Sequence, residues 1–287
     1  MSICRYWEGL PEKLNTGWLA SFIAINSMEK NSKKTYWVTG ASSGIGKQIA
    51  LKLSSAGHRV VLTSRSREQI EKLASSDPEH FIALPADVSN EFQLENLFES
   101  LCISEIDGAF LSAGICEYVD VPEWDIPSIK RVMSVNFHGV VNSCMAALPL
   151  LVRSKKNNPD YKPFIVGISS MSTYIAFPRA EAYGASKTAM AYFLNSLRTD
   201  IQSQVDVTVV YPGFVDTRLT EANDFAMPTM VSAEYAANII LKKMNKRPRK
   251  IVFPLGLHYL LKIAAILPGI WYRFVIPRLS RARMLKL

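Results

Sequence analysis

Apolar residues recur along this chain in two alternating rhythms. Short continuous apolar runs predict buried strands at Thr35–Val38, Val60–Thr63, Phe81–Leu84, Ala109–Leu111, Phe164–Ile168, Val207–Val210 and Ile251–Phe253. Between them, longer segments with helical spacing predict helices over Ile45–Ala56, Arg67–Ala74, Glu91–Leu101, Ile126–Leu151, Ala182–Ser203 and Ala233–Met244. The long fourth helix has a predicted break or bend near Gly139. Strands that are apolar throughout, rather than alternating, are covered on both faces. With helices between them they imply a parallel sheet. The expected fold is α/β, a single Rossmann-like doubly wound sheet of about seven strands with helices on both faces and a C-terminal helical extension.

Three segments follow from this pattern. Residues 1–34 mix aromatics, Pro11 and a Lys/Asn/Ser cluster, and read as an N-terminal extension. Met28 is a candidate true start, because the compact domain begins just after it. Residues 35–253 carry the sheet. Residues 254–287 form a basic, apolar extension broken by Pro268-Gly269.

Composition excludes little for the body of the chain. Its 287 residues are 48% hydrophobic and 20% charged, which is globular rather than disordered or fibrous. The four cysteines, Cys4, Cys102, Cys116 and Cys144, form no CxxC pair, so a reducing compartment is expected. No ligand spacing joins His58, His80, His138 and His258, and no metal site is expected. Trp18–Ile25 is too short to span a bilayer and lacks a signal-peptide layout, so a cytoplasmic location is expected.

Charge changes the picture at one end. The net charge is +8, yet no acidic residue follows Glu234. Twelve lysines and arginines lie from Lys242 onward; with +12 there and +8 overall, residues 1–241 sum to −4. Basicity confined to the tail argues against a nucleic-acid enzyme, whose charge would line a groove of the main domain. Aromatic and basic residues without acids suit either a membrane interface or a helix packed on the domain or on a partner subunit.

Candidate chemistry begins at the first strand–helix junction, Thr39-Gly40-Ala41-Ser42-Ser43-Gly44-Ile45-Gly46. Gly40 permits a tight turn, Gly44 leaves room for a pyrophosphate, and Gly46 lets helix and strand approach. The helix then presents free N–H groups to phosphates. Further on, Tyr183-Gly184-Ala185-Ser186-Lys187 puts a tyrosine and a lysine one helical turn apart. An ammonium there favours the phenolate and suits Tyr183 to acid–base work.

The G-x-x-x-G-x-G spacing resembles that of the short-chain dehydrogenase/reductase family, and the resemblance covers residues 35 to about 240. It implies that Gly40, Ser42, Ser43, Gly44, Ile45 and Gly46 hold a dinucleotide. Asp87-Val88 matches the pair that contacts adenine. Ser112-Ala113-Gly114 stands where the family has Asn-Ala-Gly, so Ser112 is a departure and Gly114 a match. Pro212-Gly213, Val215 and Thr217 match the segment bordering the nicotinamide. Ser170 takes the place of the serine that orients the substrate carbonyl, in preference to Ser169. Asn136 takes that of the helix asparagine in the proton relay. Lys187 is expected to tune Tyr183 and hold the nicotinamide ribose.

The second strand ends at Ser64-Arg65 rather than at a carboxylate. A guanidinium attracts a 2′-phosphate, so NADP(H) is expected over NAD(H). The position before the middle glycine, basic in many NADP-using relatives, is Ser43.

The implied activity is hydride transfer between nicotinamide and a carbonyl or alcohol of a small apolar substrate, with Asn136, Ser170, Tyr183 and Lys187 as the catalytic set. Phe225, Met227, Pro228 and Met230 in a lid over residues 218–232 suggest an apolar pocket, with Met171, Tyr174, Ile175 and Phe177 as its opposite wall. The alternatives are a lipid or 3-oxoacyl reductase at a membrane surface, and a catalytically silent NADP(H)-binding regulator. The family implies a homo-oligomer, with no nucleic-acid partner.

Overall fold

A computed structural model describes residues 33–95, 97–120, 123–221, 227 and 229–279. The expectations for residues 1–32, including Met28, for Phe225 and Pro228, and for Arg281, Arg283 and Lys286 lie outside the described residues.

Along the chain run β1 (Thr35–Thr39), α1 (Gly44–Ser55), β2 (Arg59–Thr63), α2 (Arg67–Ser75), β3 (Phe81–Ala83) and α3 (Glu91–Glu95). Next come β4 (Gly108–Leu111), α4 (Ile126–Met133), α5 (Gly139–Asn157), β5 (Phe164–Ile168), α6 (Glu181–Ile201) and β6 (Asp206–Pro212). The C-terminal third holds β7 (Val215–Asp216), α7 (Arg218–Glu221), β8 (Val231–Ser232), α8 (Ala233–Met244), β9 (Lys250–Phe253), α9 (Leu255–Ile266), α10 (Pro268–Ile270) and α11 (Ile276–Leu279).

Seven strands form one parallel sheet in the order β3-β2-β1-β4-β5-β6-β9. This is the doubly wound sheet read from the sequence. Side chains alternate across it. Trp37 enters the core beneath α5 and α6, while its neighbours Tyr36 and Val38 enter the core beneath α1 and α8. Burial on both faces is why the strands lack polar positions. The strand order reverses between β1 and β4, where loops from the two halves diverge and leave a crevice at the strands' C-terminal ends.

The long fourth helix is one continuous stretch, Ile126–Asn157. Asp125 starts it by accepting a hydrogen bond from the Ser128 N–H at 3.1 Å. Just before Gly139 it widens into a π turn at Ser134–His138, which locates the anticipated irregularity. Its length and composition would let it cross a membrane, yet half of its most apolar stretch is buried in the fold. The small parallel pair β7–β8 was too short for the hydrophobic pattern to reveal.

Candidate active site

The crevice above β1 and β4 opens into a cleft of about 630 Å³. Apart from Gly46 and Asn136, which lie behind its wall, every catalytic and cofactor-binding candidate named from the sequence lines this one cleft.

Its floor is the turn after β1. Gly40 has φ +67°, and a Cβ there would come within 2.8 Å of the Ala113 backbone. A Cβ on Gly46 would lie 2.5 Å from the Gly40 carbonyl oxygen. Both positions therefore require glycine, one for conformation and closeness, the other for closeness alone. Thr39 Oγ1 accepts from the Ser112 and Ala113 N–H groups at 3.1 and 3.2 Å. That contact ties the β1 turn to the β4 turn through backbone groups, so the substitution at Ser112 leaves the junction tied.

Ser43 caps α1 with extended backbone, but its side chain makes no capping hydrogen bond and no acid sits in the first turn. The uncapped end of a twelve-residue helix, bounded by glycines, fits a pyrophosphate. Ser64 Oγ donates to Ser42 Oγ at 2.9 Å and closes the turn on its β2 side. Arg65 is exposed at the cleft edge, with no ion pair among the described residues. Asp87 and Val88 line the same end, and Asp87 Oδ1 accepts from the Ser89 N–H and hydroxyl.

Ser170, Tyr183 and Lys187 meet at the other end. Tyr183 is in the first turn of α6 and Lys187 one turn later. Ser170 Oγ accepts from the Ser172 N–H at 3.1 Å and lies beside the Tyr183 hydroxyl in the cleft. Ser169 instead is buried, and its hydroxyl donates to the Lys187 carbonyl at 3.1 Å. Both serines border the cleft, but the Ser169 hydroxyl is engaged by the Lys187 carbonyl.

Lys187 Nζ donates to the Ile168 carbonyl at 2.9 Å and lies 5.9 Å from the Tyr183 ring centre. Burial pushes the lysine down to about 8. Burial, and then the Cys116 thiol, raise the Tyr183 hydroxyl above the usual phenol range, while Ser170 pulls it back. The sequence predicts that Lys187 lowers Tyr183. Desolvation is the leading cause of both shifts.

Asn136 sits in the π turn and is fully buried. Its amide donates to the Ile115 carbonyl and to Ser186 Oγ, each at 2.9 Å, and its Oδ1 accepts from the Ile115 N–H at 2.8 Å. The side chain is thus engaged in clamping the loop after β4 against α6.

Pro212, Gly213, Val215 and Thr217 form the far wall, continued by Arg218, Leu219 and Thr220. The opposite wall differs from expectation. Met171, Tyr174, Ile175 and Phe177 do not line this cleft. Met171 and Ile175 are buried in the core, Tyr174 bonds His258, and Phe177 packs edge-on against Trp271. The last three line a second cavity of about 490 Å³, shared with Ala265, Pro268 and Tyr272.

Sequence reasoning missed Cys116 and Glu117 in the main cleft. Burial pushes the Cys116 thiol up to about 11, so it stays neutral beside Tyr183. Arg131 holds Glu117 below the usual carboxylate range, aided by Ser128 and by the more distant Arg65. The only sequence signal for either was proximity to the Ser112-Ala113-Gly114 turn. Among the described residues no three His, Cys, Asp or Glu side chains converge as a metal site would require.

A family model described as short chain dehydrogenase matches residues 34–226. The 11-beta-hydroxysteroid dehydrogenase-like 3 of Arabidopsis thaliana is 28% identical over 232 residues, 78% of this chain and 71% of its own. Two solved structures share the fold. A short-chain dehydrogenase/reductase from Burkholderia phymatum in complex with NAD has a TM-score of 0.73 at 20% identity, covering 85% of this chain and 96% of its own. One from Burkholderia cenocepacia in complex with NADP has a TM-score of 0.72 at 20% identity, covering 85% and 98%.

Proposed function

Because the chain belongs to the short chain dehydrogenase family of oxidoreductases, we propose that it is an NADP(H)-dependent carbonyl reductase acting on a small apolar substrate. The observation that carries this reading is the meeting of Ser170, Tyr183 and Lys187 in the same cleft as the uncapped glycine turn. A bound nicotinamide dinucleotide supplies or accepts the hydride. Gly40, Ser42, Ser43, Gly44 and Ile45 would cradle its pyrophosphate, and Asp87 and Val88 would border its adenine. Ser112, Gly114, Pro212, Gly213, Val215 and Thr217 would border the nicotinamide half.

The acid–base work belongs to the chain. Tyr183, held protonated by burial, donates its proton to the carbonyl oxygen as negative charge develops there. The Ser170 hydroxyl hydrogen-bonds the same oxygen and polarises the carbonyl. Lys187, lowered to about 8, carries a charge at neutral pH that stabilises the phenolate left behind. A phenol that begins protonated favours reduction over oxidation.

Arg65 supports NADP(H), since an exposed guanidinium at the end of β2, with no ion pair among the described residues, can take a 2′-phosphate. Related structures hold NAD in one case and NADP in the other, so the preference rests on Arg65. Apolar lining by Ile115, Val135, Ile168, Val215 and Leu219, and the steroid dehydrogenase name of the Arabidopsis relative, support an apolar substrate. Exposed Met145, Val152 and Tyr192 on α5 and α6 offer an apolar surface for a homo-oligomer.

The test is turnover of NADPH against a panel of apolar ketones and aldehydes. The expected result is oxidation of NADPH that Tyr183→Phe abolishes while cofactor binding persists. Retained cellular function by that variant would favour a silent cofactor-binding regulator.

A further inference from the structure

We propose that the C-terminal helices form a docking surface for a bilayer containing anionic lipid, lying in its interface rather than crossing it. One face of this segment is fastened to the domain. Leu257, His258, Leu261 and Trp271 are buried. His258 Nδ1 hydrogen-bonds the Tyr174 hydroxyl at 3.1 Å, and Trp271 Nε1 donates to the Ala176 carbonyl at 3.3 Å. The other face is bare. Of the large apolar side chains exposed among the described residues, Tyr259, Leu260, Ile263, Ile266, Ile270 and Phe274 all belong to it. α9 and the helical stretch Pro268–Val275 meet at 99°, so they lie across one another as a bent platform instead of forming a single straight span.

Charge selects the occupant. Burial first, and then neighbouring lysines, disfavour the charged forms of Lys250 and His258, Lys262 acting on both and Lys250 on His258, and none of the three has an acidic partner among the described residues. Arg273 adds a further exposed cation on the same segment, and the sequence has no acid after Glu234. A second copy placed face to face would set these cations against each other. Phosphate headgroups would neutralise them, while the apolar face enters the boundary between headgroups and acyl chains. Lys250 also rests over the Tyr174 and Tyr211 rings at 4.7 and 4.4 Å, which fixes one cation at the junction of platform and domain.

Flotation of the full chain with phosphatidylcholine vesicles, with and without phosphatidylserine, tests this. Binding is expected only when phosphatidylserine is present, with a loss as salt is raised. The double variant Leu260→Glu/Ile263→Glu changes two exposed positions and should fold, which its thermal melt verifies. Its vesicle affinity should fall at least about tenfold. Absence of binding to phosphatidylserine vesicles, or unchanged binding by the double variant, overturns the proposal. So does a wild-type oligomer that the same double variant dissociates, since the face would then be covered by a second copy. None of these readouts depends on the proposed hydride transfer.

Discussion

The segment from Ser170 to Phe177 separates two regions that handle polar groups in opposite ways. On one side Ser170 faces the cleft, where Lys187 is buried and donates to the Ile168 carbonyl, with Tyr183 half-buried beside it. On the other, Tyr174 and Phe177 hold helices whose cations have no acidic partner among the described residues and whose outer apolar side chains face solvent. Burial tunes chemistry in the first region. In the second, exposure without neutralisation points to a surface that is covered in use. Substitutions should therefore change protonation and turnover in the cleft and association at the tail, with little crossover.

The largest effect belongs to Tyr183→Phe, which removes the proton donor and leaves the ring in place. Turnover should fall by about 10²–10⁴-fold, the range for a general acid. Cofactor affinity, measured by fluorescence titration, should not change. A variant with turnover within a few-fold of wild type would remove the acid–base role.

Lys187 gives the next effect, and it is visible in stability. Its folded value near 8 lies below the ordinary 10.5. Between those values the unfolded chain binds the extra proton, so stability rises with pH across that window. The gain amounts to roughly 3 kcal/mol in the cofactor-free protein. Lys187→Met removes the buried charge. Melting curves from pH 7 to 10 should show the wild type gaining on the variant; parallel curves would mean that the lysine titrates normally.

Arg65→Ala is smaller and more specific. NADPH affinity should drop about tenfold, roughly 1.4 kcal/mol, with NADH affinity unchanged. Equal losses for both cofactors would reduce Arg65 to a general electrostatic contributor. Least of all, Leu260→Glu/Ile263→Glu should shift folding stability by no more than about 0.5 kcal/mol per site and leave solution turnover intact. A large loss of stability would show that the outer tail face is packed rather than bare.

The sequence revealed most where physics acts over a few consecutive residues. Strands buried on both faces declare themselves as apolar runs, the turn holding Gly40 and Gly46 is contiguous, and Tyr183 and Lys187 are one helical turn apart. Contacts between distant segments were opaque. Asn136 clamps Ile115 across 21 positions, and His258 reaches Tyr174 across 84. No periodicity carries such pairings, so the wall assigned to Tyr174 and Phe177 fell on the wrong cavity. The protonation of Tyr183 was likewise hidden, because spacing gives its distance from Lys187 but not the desolvation of both. The preference for Ser170 over Ser169 rested on family spacing; what only the fold shows is that the Ser169 hydroxyl donates to the Lys187 carbonyl.

The central claim is that this cleft is built for a phosphorylated nicotinamide dinucleotide. Side-by-side titration of the purified protein with NADPH and NADH tests it most directly. The account predicts NADPH binding at least about tenfold tighter, a difference of about 1.4 kcal/mol. Tighter binding of NADH would contradict the role of Arg65, and binding of neither would contradict the reading of the cleft itself.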